Sequence, residues 1–138
     1  MTIETNKVTI QRYYVEVHNQ GNIPLLQELT CADYVEHNPF PGHEQGLAGL
    51  QQRVELLQRA FRGDFTIEDM VAEGDKVVVR WTGRVVHREE FLGIPPTGKS
   101  ATYSGIDIYL LRNGKMAEHW DVVDVFGLLT QLGVLPQP

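Results

Sequence analysis

Asp107, His119 and Asp121 are polar residues set into two segments, 105–111 and 115–123, that are otherwise apolar enough for a protein core. A carboxylate inside a sheet costs several kcal/mol unless it is paired, hydrogen-bonded or protonated. Catalysis is the usual reason for a fold to carry that cost. An aspartate in apolar surroundings has its pKa raised towards neutrality, so it can take a proton from a substrate and return it. Asp121 is the candidate for that role, and His119 can tune it or shuttle its proton. Asp107, if protonated, can donate to a developing enolate oxygen; otherwise it anchors the loop ahead of it through backbone amides. The structural alternative for Asp121 is a strand-end ion pair with Arg80 or Arg84.

Whether these groups meet depends on the hairpin register, because strand residues alternate faces. A two-residue loop at Asn113-Gly114 pairs Arg112 with Lys115 and puts Asp107 on the face opposite His119 and Asp121. A three-residue loop, Arg112-Asn113-Gly114 with a G1 bulge, pairs Leu111 with Lys115 and Asp107 with His119. Only the second separates a polar face from an apolar one. Tyr103, Gly105, Asp107, Tyr109, Ala117, His119 and Asp121 share the polar face, and Ile106, Ile108, Leu110, Met116, Trp120 and Val122 the other. Register follows the hydrophobic pattern, so the three-residue loop is expected, with the polar face lining a pocket.

Helices must cover that face. Residues 5–20 read as a helix with Ile10, Tyr14 and Val17 near one side, stopped at Gly21. A short helix over 23–29 and a short strand over 32–37 follow. Leu47, Leu50, Val54, Leu57 and Phe61 recur at spacings of three and four, which predicts an amphipathic helix ended by Gly63. Strands are predicted from Phe65 to Val71, from Lys76 to His87 with Trp81 inside, and over 101–111 and 115–123. A last helix is expected over 125–132. Helices followed by a run of antiparallel strands define an α+β class, and residues 1–138 read as one domain.

Composition narrows the function. With 42% hydrophobic and 22% charged residues the chain is that of an ordinary globular protein. A formal charge of −6 argues against nucleic acid or anionic membranes as partners. Cys31 is the only cysteine, which excludes an internal disulfide or a thiolate metal site and fits a reducing cytoplasm. No apolar run reaches the length of a membrane span, and the first residues lack a secretory signal pattern. The histidines fit no zinc spacing, and neither a P-loop nor a G-x-S-x-G nucleophile is present, so neither metal nor cofactor is expected.

Five segments carry a resemblance: 34–39 (YVEHNP), 72–82 (AEGDKVVVRWT), 91–99 (FLGIPPTGK), 105–108 (GIDI) and 113–121 (NGKMAEHWD). In this order and spacing the chain resembles the SnoaL-like polyketide cyclase, or ester cyclase, branch of the nuclear transport factor 2-like superfamily. The resemblance implies a cone-shaped fold, with helices packed on the concave side of a curved sheet, and a homodimer through the outer sheet face. It implies an aspartate acid/base on the final strand for an intramolecular aldol closure of an apolar carbonyl substrate. Asp121 matches that position, with Asp124 as its rival. His37 and Asn38 match a pocket-mouth segment, and Tyr14 with Asp107 resembles the oxyanion pair of the superfamily's ketosteroid isomerases. Asn38 stands where the isomerase base would be, which leaves base duty to Asp121 or His37. Trp81 is expected either in the core or as a substrate platform. Hydration, isomerisation or epoxide opening in the same pocket, and non-catalytic carriage of an apolar ligand, are the alternative functions.

Overall fold

The computed structural model describes residues 2–136. Helix α1 (Ile3–Arg12) starts at Thr2, whose hydroxyl accepts the Thr5 N–H at 3.0 Å. The helix expected to run unbroken to Gln20 changes pitch instead. Tyr13–Asn19 is a π-helical segment, and its wider turn brings Tyr13, Tyr14, Val17 and His18 onto the wall that faces the sheet. A 3₁₀ turn (Ile23–Leu25) and α2 (Leu26–Leu29) lead into β1 (Thr30–Glu36). Helix α3 (Gly46–Ala60) precedes four long strands, β2 (Phe61–Glu73), β3 (Lys76–His87), β4 (Ser100–Arg112) and β5 (Lys115–Val123), and α4 (Val125–Leu132) follows them.

The chain turns directly from α3 into β2 at Phe61, so Gly63 lies inside a strand rather than ending the helix. Its φ is +149°, and a Cβ there would sit 2.0 Å from the Arg84 carbonyl oxygen of β3. Glycine at that position lets the two backbones approach closely.

The sheet order is β1-β5-β4-β3-β2. Its neighbours are antiparallel except β1 and β5, which run parallel, so the sheet is mixed. β3 and β4 alternate buried and exposed residues along most of their length. Their inner positions Val77, Val79, Trp81, Ala101, Tyr103 and Tyr109 form the core with Ile10 and Val17 of the first helical stretch and Leu50 and Val54 of α3. Each of the larger aliphatic side chains among them contributes roughly 1.5–3 kcal/mol through burial.

The closing hairpin departs from the expected register in a way that preserves its outcome. Asn113 and Gly114 both have positive φ, +53° and +74°, and Arg112 pairs with Lys115. This is the two-residue loop that an Asn-Gly pair favours. A bulge follows at once: Leu111 pairs with Met116, but Leu110 pairs with Glu118. The extra residue shifts every later side chain to the other face. Tyr109 therefore pairs with His119, Asp107 with Asp121, and Gly105 with Val123. Asp107, Tyr109, His119 and Asp121 share the inner face as expected. Met116, expected on the outer face, is fully buried beside Ala117 because the bulge turns both inward. The outer face keeps Ile106 and Val122 exposed and Trp120 half-buried.

Candidate active site

Each inner-face group comes from a strand or helix that the core already holds in place. β4 supplies Asp107 and Tyr109, β5 supplies His119 and Asp121, the π-helical segment supplies Tyr13, Tyr14 and His18, and α3 supplies Arg53 and Leu57. Together with Phe40, Phe91, Trp81 and Tyr103 they enclose a mostly apolar cavity of about 230 Å³. Val125 of α4, half exposed to solvent, also lines the cavity.

One hydrogen-bonded chain links the polar groups. Tyr109 and Tyr14 share a bond at 3.0 Å between their hydroxyls, and the Tyr14 hydroxyl donates to Asp107 Oδ2. Asp107 Oδ1 lies 2.9 Å from His119 Nε2, and His119 Nδ1 lies 2.6 Å from Glu36 Oε2. Glu36 Oε1 accepts from the Tyr34 hydroxyl at 3.0 Å and from Arg53 at 3.2 Å. Arg53 then donates to Asp121 Oδ2 at 2.5 Å. Three carboxylates, one guanidinium and one imidazole are thereby arranged in alternation.

The charges follow from that alternation. Both His119 nitrogens face carboxylates, and an imidazole can donate from both only when protonated. Burial alone would lower the His119 pKa, but the bonds to Asp107 and Glu36 outweigh it and push it up to about 9. Burial also favours a neutral Asp107, yet His119, Tyr14 and Arg53 together hold its carboxyl below the usual range. Glu36 is lowered in the same way, against burial, by His119 and Arg53. Asp121 shifts in the opposite direction. Its burial, with the negative Asp107 and Glu36 nearby, raises it despite the opposing pull of Arg53 and His119. Two carboxylates that pair across adjacent strands are thus driven apart, a pattern that separates an acid/base from its electrostatic support.

The His119 shift makes stability depend on pH. A group whose folded pKa is raised stabilises the fold fully below its unfolded pKa, here 6.5, and that contribution is lost as pH rises through the folded value of about 9. The unfolding free energy should therefore fall by on the order of 3 kcal/mol from pH 6 to pH 10. Urea denaturation across this range checks the fall, and His119→Gln should flatten it.

The expected site residues do not all meet. Tyr14, Asn38, Trp81, Asp107, His119 and Asp121 all line the cavity. Asp107 accepts two bonds and is held ionised, so it serves as an acceptor rather than the neutral donor considered from the sequence. The Tyr14 hydroxyl is committed to Asp107. Tyr13 and Tyr103 also line the cavity, and their hydroxyls make no hydrogen bond among the described residues. His37 stands outside, its ring stacked on Trp120 with centroids 4.5 Å apart and its Nε2 2.8 Å from Glu118. Strand alternation explains the difference: Tyr34 and Glu36 point inward, and His37 is one residue out of phase with them. Asn38 accepts the Asp121 N–H at 2.9 Å and so fixes the backbone that carries the acid/base candidate. Asp124 is exposed and caps α4 by accepting the Gly127 N–H at 2.9 Å, which takes the rival aspartate out of the cavity. Arg80 pairs with Asp69 on the surface; the partner of Asp121 is Arg53.

Trp81 lies edge-on to Phe65 and Tyr103, each with ring centroids 5.3 Å away. Its indole covers Gly105, where a Cβ would stand 2.4 Å from the ring, so glycine at that position makes room for this wall. Glu36, Arg53 and His18 were not singled out from the sequence. Two of them carry a signal there: Glu36 follows Tyr34 at strand spacing, and Arg53 sits three residues after Leu50 within the apolar stripe of α3. A cation inside such a stripe implies a buried anion to meet it.

Ligand atoms of Asp107, His119 and Asp121 lie within 4.8 Å of one another, close enough to consider a metal. Both His119 nitrogens are occupied as donors and Asp121 already holds a guanidinium, so a cation would have to displace two positive partners. The donor set fits a proton-holding network better than a metal site.

A mixed α+β fold, with helices against the inner face of a five-stranded sheet and a hydrogen-bonded cluster of ionisable side chains in an apolar cavity, defines the class. Over residues 8–132 the sequence matches the SnoaL-like polyketide cyclases, and the chain belongs to that family. It is 29% identical to the aklanonic acid methyl ester cyclase DnrD of Streptomyces peucetius, over 94% of this chain and 92% of the relative. It is 30% identical to the aklanonic acid methyl ester cyclase DauD of Streptomyces sp. (strain C5), over 92% of this chain and 81% of the relative. Its structure matches that of TsrD from Streptomyces laurentii with a TM-score of 0.89 at 29% identity, across 98% of this chain and 99% of the other.

Proposed function

We propose that this protein closes a ring by intramolecular aldol addition in a largely apolar carbonyl compound with an acidic C–H, using side chains alone. The observation that carries the reading is the opposed tuning of Asp107 and Asp121 in one apolar cavity. Asp121 takes the proton from the carbon between two activating groups. Negative charge develops on the enolate oxygen near the Arg53 guanidinium and the charged His119, which offset it in a low-dielectric site. The carbanion adds to a second carbonyl held close by the cavity walls, and the new alkoxide receives the proton back. Atoms balance without water, so the product is an isomer of the substrate.

Aklanonic acid methyl ester, for which the relatives DnrD and DauD are named, is the first compound to test. Conversion to a product of unchanged mass, lost in Asp121→Asn, is the expected result. A product heavier by one water, with label taken up from enriched solvent, would replace the cyclase reading with hydration or hydrolysis. Tight binding without conversion would make the protein a ligand carrier.

We also propose a homodimer through the outer sheet face, where Ile106 and Val122 are exposed around the half-buried Trp120. Contiguous apolar surface of this kind favours a partner. Light scattering at micromolar protein should give twice the monomer mass, and a monomer would refute the assignment.

A further inference from the structure

An enolate oxygen in this cavity needs a hydrogen-bond donor as well as nearby charge, since donors aimed at a developing charge are the strong ones. Most of the polar groups are already committed. His119 gives both of its N–H groups to carboxylates, one to Asp107 and one to Glu36. The Tyr14 hydroxyl donates to Asp107, and Tyr109 spends its own on Tyr14. Arg53 spreads its two terminal nitrogens over Glu36, Asp121 and the Asn38 carbonyl oxygen. Asn38 itself lines the cavity but is exposed to solvent, where a hydrogen bond is weaker than in the interior.

Two hydroxyls in the cavity make no hydrogen bond among the described residues, those of Tyr13 and Tyr103. Both residues are buried in the wall. Trp81 Nε1 and His18 Nδ1 also lack partners, but those atoms are enclosed, whereas the two hydroxyl oxygens are not. The small surface they keep opens on the cavity.

The two hydroxyls serve different parts of it. Tyr103 lies four residues before Asp107 on β4, roughly 13 Å along the strand. Tyr13 packs edge-on against Tyr14 at 5.6 Å and Tyr109 at 6.0 Å, the two tyrosines whose hydroxyls meet beside Asp107. Burial raises the Tyr13 pKa, Arg53 opposes the rise, and Asp107, Glu36 and Asp121 add to it. The guanidinium and all three carboxylates of the cluster thus act on this hydroxyl, and it stays protonated, the form that donates. The wide π-helical turn puts two consecutive tyrosines on one wall. Tyr14 holds Asp107, and Tyr13 is left free.

We propose that Tyr13 is a catalytic residue whose hydroxyl donates a hydrogen bond to the enolate oxygen as Asp121 removes the proton from carbon. The tyrosine keeps its own proton throughout, so the atom balance of the ring closure is unchanged. The proposal rests on the cavity being the site of that closure, and it gives Tyr13 the oxyanion role expected of Tyr14.

Two measurements test it. Tyr13→Phe keeps the ring and should lower kcat for the keto ester by about 10²-fold, the effect of removing one oxyanion donor, with KM within about twofold. A tyrosine that served only as packing would lower the melting point and leave kcat in place. The second measurement needs no turnover. Asp121→Asn carries a neutral group, as the aspartate does once it has taken the proton, and 4-nitrophenolate stands in for the enolate. In that background, adding Tyr13→Phe should weaken 4-nitrophenolate about tenfold by absorbance titration and change the affinity for uncharged nitrobenzene less than about twofold. Unchanged kcat in Tyr13→Phe, equal losses for the two probes, or no loss for nitrophenolate would overturn the proposal. So would an Asp121→Asn protein that does not prefer nitrophenolate to nitrobenzene. The acid/base reading is decided separately, by turnover in Asp121→Asn.

Discussion

Asp121→Asn should lower turnover of the cyclisable keto ester by about 10²–10⁴-fold, the range a positioned general base supplies. The amide is nearly the same shape, can still accept from Arg53, and cannot take a proton at working pH. Its fold should survive. Burial already works against the ionised Asp121, so a neutral group there relieves a desolvation cost while giving up one ion pair. The expected signature is an unchanged circular dichroism spectrum and melting point with a near-complete loss of rate. In the wild type, the rate should rise with pH through the titration of Asp121, whose pKa burial raises from the ordinary aspartate value. Full activity in the asparagine variant would remove Asp121 from the chemistry.

Arg53→Met should be the most destabilising change at the site, by about 3–5 kcal/mol, because it leaves two buried carboxylates facing each other without their shared cation. Arg53 bonds both Glu36 and Asp121 and covers the Phe40 ring, with the guanidinium carbon 4.4 Å from the ring centroid. Methionine keeps an apolar stem on Phe40 and removes the charge together with its hydrogen bonds to Glu36 and Asp121. Urea denaturation measures the loss, and adding Glu36→Gln to the methionine variant should recover part of it, since one of the stranded charges is then gone. Arg53→Lys keeps the charge but not the two-armed geometry, so it should fall between wild type and methionine. Arg53 pulls the Asp121 pKa down, so the acid limb of any residual activity in either variant should move to higher pH. Equal stability of Arg53→Met and wild type would mean that the network contributes nothing to the fold.

Period-two alternation in 105–111 and 115–123 already placed Asp107, His119 and Asp121 on one face and the large apolar residues on the other. Strand and helix limits near the C-terminus, Lys76–His87, Lys115–Val123 and Val125–Leu132, were equally legible. All of these depend on neighbours a few residues away, and local periodicity records them. The hairpin loop was misread because two local rules conflict there. Asn-Gly favours a two-residue turn and the hydrophobic pattern demands the other face. A bulge at Met116-Ala117 satisfies both, and it appears only once the strands are paired.

Contacts between distant segments made the rest of the site. Glu36 meets His119 because β1 adds parallel to β5, with the two residues level in the register. Arg53 meets Asp121 because α3 lies across the inner face, a contact spanning 68 residues of chain. The pitch change at Tyr13, which turns Tyr14 and His18 into the cavity, likewise shows in no local residue pattern. By itself the sequence determined that Asp107, His119 and Asp121 share one face of the closing strands, but not that Glu36 and Arg53 join them, that Met116 is buried or that His37 stands outside. Only the tertiary structure decided which polar group faces which, and therefore that the Asp107 pKa is lowered while that of Asp121 is raised, because a pKa inside a protein is set by burial and by neighbours in space rather than in sequence.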